Sequence, residues 1–473
     1  MSDEVLETDY LVIGAGAAGM AFADALLTHS DATFVIVDRR HAPGGHWIDA
    51  YPYVRLHQPS AFYGVSSVPL GEDVRDLAGT NTGYYELAGP DELRAYFAKV
   101  MHQRFLPGGR VRYFPCSEYL GEGRFVSRLA QASWKVRVRR KIVDTTYLEG
   151  TIPATSTPPF EVDDGVRCVP AGEIARMTER PERIVVIGAG KTALDTCVWL
   201  LEQAVPASAI QWIKPREAWW MNRRFQQPLT LLPESYRGVA LQFEAMSQAT
   251  SIEDLFARLE AEKFFLRVDP GVVPTMFRGA VISEAELELL RRIEDVVRLG
   301  HVRKIGRDEI VLDEGHVPTS KAAVHIHCAS RGLARRPLRP IFEAGRVTIQ
   351  PIFLGFACYQ FAMLGMIEAL VESDDEKNRL CPPIAYWDAN SDYVSGFLAT
   401  LVNERARMSC AALTAWAKET RLNPFGGIAH YRDVPDVIDA RERIKRCGAA
   451  AADNLARLVK KTTASAEGIE GST

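Results

Sequence analysis

The sequence predicts an α/β protein of two Rossmann-like units, one inserted into the other, with a helical insertion and a set of C-terminal helices. Three observations carry this reading. An apolar run breaks at Gly14-Ala15-Gly16-Ala17-Ala18-Gly19, and an Ala-rich helical stretch follows. A second apolar run, Ile184–Ile187, breaks at Gly188-Ala189-Gly190-Lys191-Thr192-Ala193. A strand-then-helix pattern returns late in the chain, over residues 347–371. With 473 residues there is room for two or three domains around large cores.

Each part of the first elbow has a physical reason. Leu11, Val12 and Ile13 read as a buried parallel strand. Gly14 permits the tight strand-to-helix turn, Gly16 lets a pyrophosphate approach the backbone, and Gly19 lets helix and strand pack closely. Ala17 and Ala18 open the helix, whose N–H groups suit an anion. The next apolar run, Thr33–Val37, ends at Asp38, placed to accept hydrogen bonds from a ribose hydroxyl, with Arg39 beside it.

Composition excludes several classes. The chain is 47% apolar and 25% charged, and 56 Lys and Arg against 60 Asp and Glu leave a net charge of −4. Nothing in that balance points to nucleic acid or a membrane surface. The start, MSDEVLETDY, lacks the apolar core of a secretory signal. Eight cysteines without a C-x-x-C pair argue against a disulfide scaffold, a zinc site or a redox dithiol, so no metal and a cytoplasmic setting are expected. Val347–Ile367 carries no charge, but Pro351 and Gln360 favour a buried strand followed by a core helix over a membrane span.

After Asp38 comes a long irregular loop, rich in glycine, proline, aromatic and titratable residues, at the sheet edge where open α/β folds bind ligands. Asp91–Phe105 reads as an amphipathic helix, with Leu93, Phe97, Val100 and Met101 on one face. Residues 111–148 read as antiparallel strands, with Arg137, Arg139, Arg140 and Lys141 on a solvated face. GTIPATSTPP, residues 150–159, is a crossover linker. The second elbow carries Ala193 where a third glycine would stand, which the fingerprint permits. Its following strand, Ile210–Ile213, ends in Lys214-Pro215-Arg216 instead of an acid, and two bases there suit a 2′-phosphate. Residues 219–299 read as a mostly helical insertion, in which Trp219 and Trp220 read as core. A hairpin (302–317) and a closing strand (322–328) follow, its loop at Ser330-Arg331-Gly332. His325 and His327 lie two apart on that strand and read as packing residues. Two long C-terminal helices are expected, Tyr393–Lys418 and Asp436–Lys460, then a small polar tail.

Two dinucleotide folds in one chain imply two ligands. The first elbow, finished by an acid, suits FAD, and the second, finished by bases, suits NADP(H), which can give hydride to a flavin. The domains are then a first part of the FAD domain (1–160), an NAD(P) domain (161–335) holding the insertion 219–299, a return to the FAD domain (336–372), a helical region (373–461) and a disordered tail (462–473). The 359–371 helix, with Gln360 near its start, is expected to aim its N-terminus at the flavin.

On GAGAAG with Asp38, on Gly44-Gly45-His46-Trp47, on Tyr51-Pro52 with Arg55, and on GAGKTA, the chain resembles the flavin-containing and Baeyer–Villiger monooxygenases. The similarity covers residues 8–70, 180–216 and 320–370, about a third of the chain. It implies that Gly45, His46, Trp47, Asp49, Arg55, His57 and Gln58 line the flavin or the space where oxygen reacts. Arg55, His57 and His46 are the catalytic candidates, with His57 expected to tune protonation near neutral pH. The resemblance also implies NADPH reduction of FAD, a C4a-peroxyflavin, and oxygen transfer from dioxygen to nitrogen, to sulfur or beside a ketone of a small organic substrate. There is one departure. The family's F-x-G-x-x-x-H histidine is replaced, since Leu148-Glu149-Gly150 puts Ala154 at that position, and no histidine stands between His102 and His301. An NADPH-dependent flavoprotein reductase without oxygen transfer is the alternative, and the oligomeric state is left open.

Overall fold

The computed structural model describes residues 4–147, 149–330 and 332–470. The first unit opens with β1 (Glu4–Ile13), α1 (Ala17–Thr28) and β2 (Phe34–Val37), and β2 is buried along its whole length. After the long loop, α2 (Pro90–Lys99) runs on as a π-helical stretch to Phe105, burying Leu93, Phe97, Val100 and Met101 as the spacing predicts. β3 (Val111–Phe114) pairs parallel to β2, and β4 (Ser117–Gly121) and β5 (Arg124–Ser127) form a hairpin on β6 (Ser133–Asp144).

The antiparallel expectation holds only for that hairpin. β6 also runs parallel to β1, because its apolar end, with Val143 buried, belongs at the sheet centre. On its exposed end Arg137 pairs with Glu7 at 2.7 Å and Arg139 with Asp9 at 3.0 Å, the expected solvated face. Past a bulge Lys141 turns inward to Asp374 and Glu368 instead.

β7 (Glu161–Val162) and β8 (Cys168–Pro170) lead into the second unit, where β9 (Arg183–Ile187), α3 (Lys191–Glu202) and β10 (Ile210–Ile213) form the second elbow. The insertion is mixed, not mostly helical. β11 (Ala218–Asn222), β12 (Phe265–Leu266) and β13 (Met276–Ile282) form a sheet of their own around α4 (Leu232–Gln248) and α5 (Ile252–Ala261). Buried aromatics decide this: Phe265 stacks on Phe256 at 4.9 Å and meets Phe277 edge-on at 5.5 Å. Trp219 lies in this core and Trp220 in that of the second unit, both buried as expected. α6 (Glu284–Leu290) follows, and β14 (Val296–Val297) returns beside β10.

A meander of β15 (Val302–Ile305), β16 (Glu309–Leu312) and β17 (Gly315–Pro318) replaces the expected simple hairpin. β18 (Ala323–His327) then completes a parallel sheet of order β14-β10-β9-β18-β8. Arg331, in the loop after it, lies outside the described residues, as does Leu148. β19 (Phe342–Glu343) and β20 (Arg346–Thr348) rejoin the first sheet, with β20 parallel to β6, and α7 (Ala357–Leu370) packs on α1. Among the described residues no helix is long and apolar enough to cross a membrane.

Among the described residues four α-helices follow: α8 (Asp374–Leu380), α9 (Asn390–Arg407), α10 (Ala411–Glu419) and α11 (Pro435–Glu470). The helix expected over Tyr393–Lys418 is therefore two, divided at Met408–Cys410. α11 lies along α4 and buries Ala451, Leu455 and Leu458 against Leu241, Ala245 and Phe256, so insertion and C-terminus share one core. It continues to Glu470 through residues expected as a disordered tail, of which 471–473 lie outside the described residues.

Candidate functional site

The first elbow has the strain and contacts its glycines imply. Gly14 sits at φ +103°, and a Cβ there would meet Thr145 Oγ1 at 2.5 Å. A Cβ on Gly19 would strike the Gly14 carbonyl, so glycine is what lets α1 pack on the turn. α1 starts at Gly16 without a side-chain cap, and Ala17 and Ala18 are half-buried there. Asp38 reaches back into the elbow: one carboxylate oxygen accepts the Ala15 N–H at 2.6 Å and the other the Arg40 N–H at 2.7 Å. This fixes the acid at the edge of the turn, and a carboxylate keeps lone pairs for further donors. Arg39 points away, to an exposed ion pair with Glu149, so its expected cofactor contact is not formed by this arrangement.

The Gly44–Asp49 turn docks directly on the elbow. Gly44 N–H donates to Ala15 O at 2.9 Å, and a Cβ on Gly45 would meet Gly16 Cα at 2.9 Å. Trp47 is buried, and its indole N–H donates to the Tyr63 hydroxyl at 2.8 Å. His46 tilts against that indole, ring centroids 4.7 Å apart. It is exposed, yet the surrounding protein desolvates it and, with the Arg40 charge, lowers its pKa to about 4. Asp49 pairs with Arg40 at 2.9 Å.

From Tyr51 onward the same loop crosses to the second unit. The Tyr51 hydroxyl donates to Asp195 at 2.6 Å, and the Tyr53 hydroxyl donates to Ala171 O at 2.8 Å while its ring stacks on Trp199 at 4.6 Å. Beside this contact lie two buried ion pairs, Lys191 with Asp195 and Arg223 with Glu286 at 2.8 Å, and Lys191 is also 3.6 Å from Glu286. Burial pushes the Asp195 carboxyl up despite Lys191. Burial also raises Glu286, but Arg223 and Lys191 outweigh it and hold that carboxyl below its usual range. His57, half-buried, is desolvated and faces the Lys191 and Arg223 charges, which bring its pKa down to about 3. It is therefore neutral at pH 7, and the expectation that it titrates near neutrality is corrected. Gln58 is half-buried beside it. A cavity of about 60 Å³ separates the units here, lined by Tyr53, Arg55, Lys191, Asp195, Arg223 and Glu286. Arg55 is spent on the loop itself, donating to Leu87 O at 3.1 Å and pairing with Asp76 at 3.2 Å.

At the second elbow Gly188 has φ +143°, and a Cβ would meet Cys328 backbone at 3.1 Å. α3 starts at Gly190, again without a side-chain cap, with Lys191 and Thr192 half-buried and Ala193 fully buried against the core. The two bases expected to hold a 2′-phosphate are both engaged. Lys214 is 1% exposed, its ammonium on Glu217 at 2.5 Å and over the Trp212 ring at 4.3 Å; burial lowers its pKa against the pull of that acid. Glu217 also takes Arg298 at 2.9 Å. Arg216 donates twice to Asp388, at 3.0 and 3.1 Å, and with Arg278 holds that carboxyl at about 2 although burial acts to raise it. Gln360 is likewise structural: its amide accepts the Ile352 N–H and donates to Gly355 O, both at 2.8 Å, shaping the turn into α7. His325 and His327 are buried in β18.

Sequence reasoning missed Tyr51 and Tyr53 as bridging hydroxyls, and it missed Asp195, Arg223 and Glu286. Asp195 falls one turn after Lys191, a helical spacing that offered a signal; Arg223 and Glu286 lie far apart in sequence and meet only through the insertion. Arg421 was missed as well. Its guanidinium donates to the carbonyls of Ala61, Tyr63, Val65 and Val68, at 2.5 to 3.0 Å, and so ties the C-terminal segment to the functional loop.

This geometry agrees with the comparisons. Residues 12–65 match the model of an NAD(P)-binding Rossmann-like domain. Two crystal structures of cyclohexanone monooxygenase, one bound to epsilon-caprolactone and one open, superpose with TM-scores of 0.51 and 0.50 at 14% and 13% identity. They cover 88% and 90% of this chain and 99% and 98% of theirs. The chain thus shares the fold of these cyclohexanone monooxygenase structures. Uncharacterized proteins of Mycobacterium tuberculosis (strain H37Rv) and Mycobacterium bovis are 44% identical over 471 residues, 98% of this chain and 87% of theirs. The chain belongs to the family of these mycobacterial proteins.

Proposed function

We propose that the protein is an FAD-dependent, NADPH-using monooxygenase that oxygenates a small organic substrate with dioxygen, at nitrogen, at sulfur or beside a carbonyl. The observation that carries this reading is the pair of uncapped helix starts, at Gly16 and Gly190, joined by one loop whose Tyr51 and Tyr53 reach the second unit. Bare N–H groups at a helix start suit a pyrophosphate, and two of them suit two dinucleotides. The residues present fit both groups. Gly16 and Gly45 leave backbone open where side chains would intrude, and Asp38 stands fixed at the ribose end of the first elbow. The cyclohexanone monooxygenases named above share the fold, which supports the same chemistry here.

When bound, the flavin would supply hydride acceptance and oxygen activation. The chain itself binds, orients and excludes water. Lys191 and Arg223, each balanced by a carboxylate, set a near-neutral field at the junction of the units. His57, neutral at working pH, offers a hydrogen bond there without adding charge. Tyr51 and Tyr53 hold the two units in register, so that the ligands of both elbows share one cleft. Arg216, at the end of β10, supports NADPH over NADH only if its guanidinium turns from Asp388 to a 2′-phosphate. Eight free cysteines support a cytoplasmic setting.

The test is the fate of oxygen in the flavin-loaded protein given NADPH and a panel of amines, sulfides and ketones. Oxygen consumption matched by oxygenated product supports monooxygenation. Stoichiometric hydrogen peroxide with every member of the panel establishes the reductase reading instead.

A further inference from the structure

A cavity of about 400 Å³ opens where three distant segments meet: the loop 61–73, the turn Pro228–Leu232 and the C-terminal stretch 418–431. We propose that it binds a small organic acid, with the apolar body on the cavity floor and the carboxylate on the Arg421 guanidinium. The site stands apart from the monooxygenase reading, because it concerns what the walls can hold and not what becomes of it.

Arg421 carries the inference. Its Nη1 donates to Ala61 O and its Nη2 to the carbonyls of Tyr63, Val65 and Val68, at 2.5 to 3.0 Å, while its Nε is buried without an acceptor. The carbonyls fix the head group and lend it their dipoles, but they bring no negative charge. Asp24 feels this cation through space, yet its oxygens are spent on the N–H and hydroxyl of Ser67, and it lies 3.6 Å from Arg104. Burial also pushes the Asp24 carboxyl up, which weakens it as a counter-charge. A half-buried cation thus stands in the wall without a carboxylate of its own, and a bound acid would supply one.

The remaining lining selects an acid with an apolar body over a bare ion. The floor is apolar and buried, made by Phe62, Leu70, Pro228, Leu232 and Pro424, and the volume falls in the range of about 300 to 1,000 Å³ typical of small-molecule sites. Phe62 meets Phe356 edge-on, centroids 5.4 Å apart, which anchors that floor to the start of α7. Asp73, Lys418, Glu419 and His430 also line the cavity, but they are exposed and of both signs, so water screens them and Arg421 sets the sign of the interior. Asn423 is spent within the protein, its amide donating to Ala417 O at 2.6 Å and accepting the Phe425 N–H at 3.0 Å. A neutral ligand of the same shape gains the same burial and forgoes the charge-assisted hydrogen bond; an ammonium meets a like charge.

The test is fluorine NMR on the full chain with three probes: 4-fluorobenzoate, its neutral isostere 4-fluorobenzamide, and fluoroacetate, which keeps the charge and lacks the ring. The benzoate is expected to bind about tenfold or more tighter than either of the others. Arg421→Gln is expected to remove its advantage over the benzamide. Leu229→Trp, at a rim position 41% exposed, is expected to weaken the benzoate by about tenfold through occlusion of the mouth. That variant keeps the test open if Arg421→Gln fails to fold, as its melting transition will show. Benzoate that does not bind, that binds no better than the benzamide or fluoroacetate, or that binds with the same preference to a folded Arg421→Gln chain overturns the proposal. Benzoate binding indifferent to Leu229→Trp places the acid elsewhere on the molecule and overturns it equally.

Discussion

Lys214 shows how a charge can look like a ligand contact in sequence and serve as structure. Its ammonium sits at the end of β10, where a 2′-phosphate partner would stand, but it is buried between Glu217 and the Trp212 face. Breaking a buried pair leaves an uncompensated charge, and Arg298 compensates Glu217 only in part. Lys214→Ala is therefore expected to lower stability by about 3 kcal/mol in chemical denaturation. Arg216→Ala, at a half-buried pair near the surface, is expected to cost about 1 kcal/mol or less. Equal effects, or a Lys214 variant that melts like the wild type, contradict this assignment. The same local competition explains why Gln360, Arg39 and Arg55 were legible as residues of the right region but not by role. A motif gives position along the chain; the partners that consume a side chain come from elsewhere, as Asp388 does for Arg216.

Among the elements, the glycine elbows were readable because each is local: strand, turn and helix follow one another and bury themselves in order. The insertion was not, because its sheet forms between strands far apart in the chain, β11 with β13 in parallel and β12 antiparallel. Their short apolar runs have no length to mark them as strands, and aromatic packing decides. The division between α9 and α10 at Met408–Cys410 was hidden for a related reason: it carries neither Gly nor Pro. The loop 61–68 depends on a partner equally remote in sequence. Arg421→Ala leaves four carbonyls short of a charged donor, at a cost on the order of 3 kcal/mol. Faster hydrogen exchange confined to residues 61–68 and their surroundings is the expected sign. Unchanged exchange there would show that the loop holds its shape without the clamp.

At the scale of the molecule, acid sensitivity follows from buried imidazoles. His57, His325 and His327 all have pKa values lowered by burial, His57 to about 3 with help from Lys191 and Arg223. The unfolded chain protonates these groups near pH 6.5 while the folded one resists, so their contribution is present above that pH and lost as pH falls. Each can contribute a slope of up to about 1.4 kcal/mol per pH unit between 6.5 and its folded pKa. Asp9 and Asp388, held at about 2 by their arginines, add a second loss below about pH 4. Asp24 and Asp195, raised by burial, act in the opposite sense, and above about pH 4, between the ordinary carboxyl value and their raised folded values. The melting temperature is expected to fall from pH 6.5 to 5. His327→Leu should flatten that fall, since neither ring nitrogen has a partner among the described residues. A profile identical to that of the wild type would remove His327 from the account.

The central claim is that two elbows joined by the Gly44–His57 loop lay a flavin against a nicotinamide. Its most direct measurement is anaerobic titration of the purified, flavin-loaded protein with NADPH, followed by the absorbance of oxidised flavin near its visible maximum. The account predicts uptake of one FAD per chain and complete bleaching by one equivalent of NADPH, with NADH less effective. A chain that takes up no FAD, or holds it and is not bleached by either nucleotide, contradicts it.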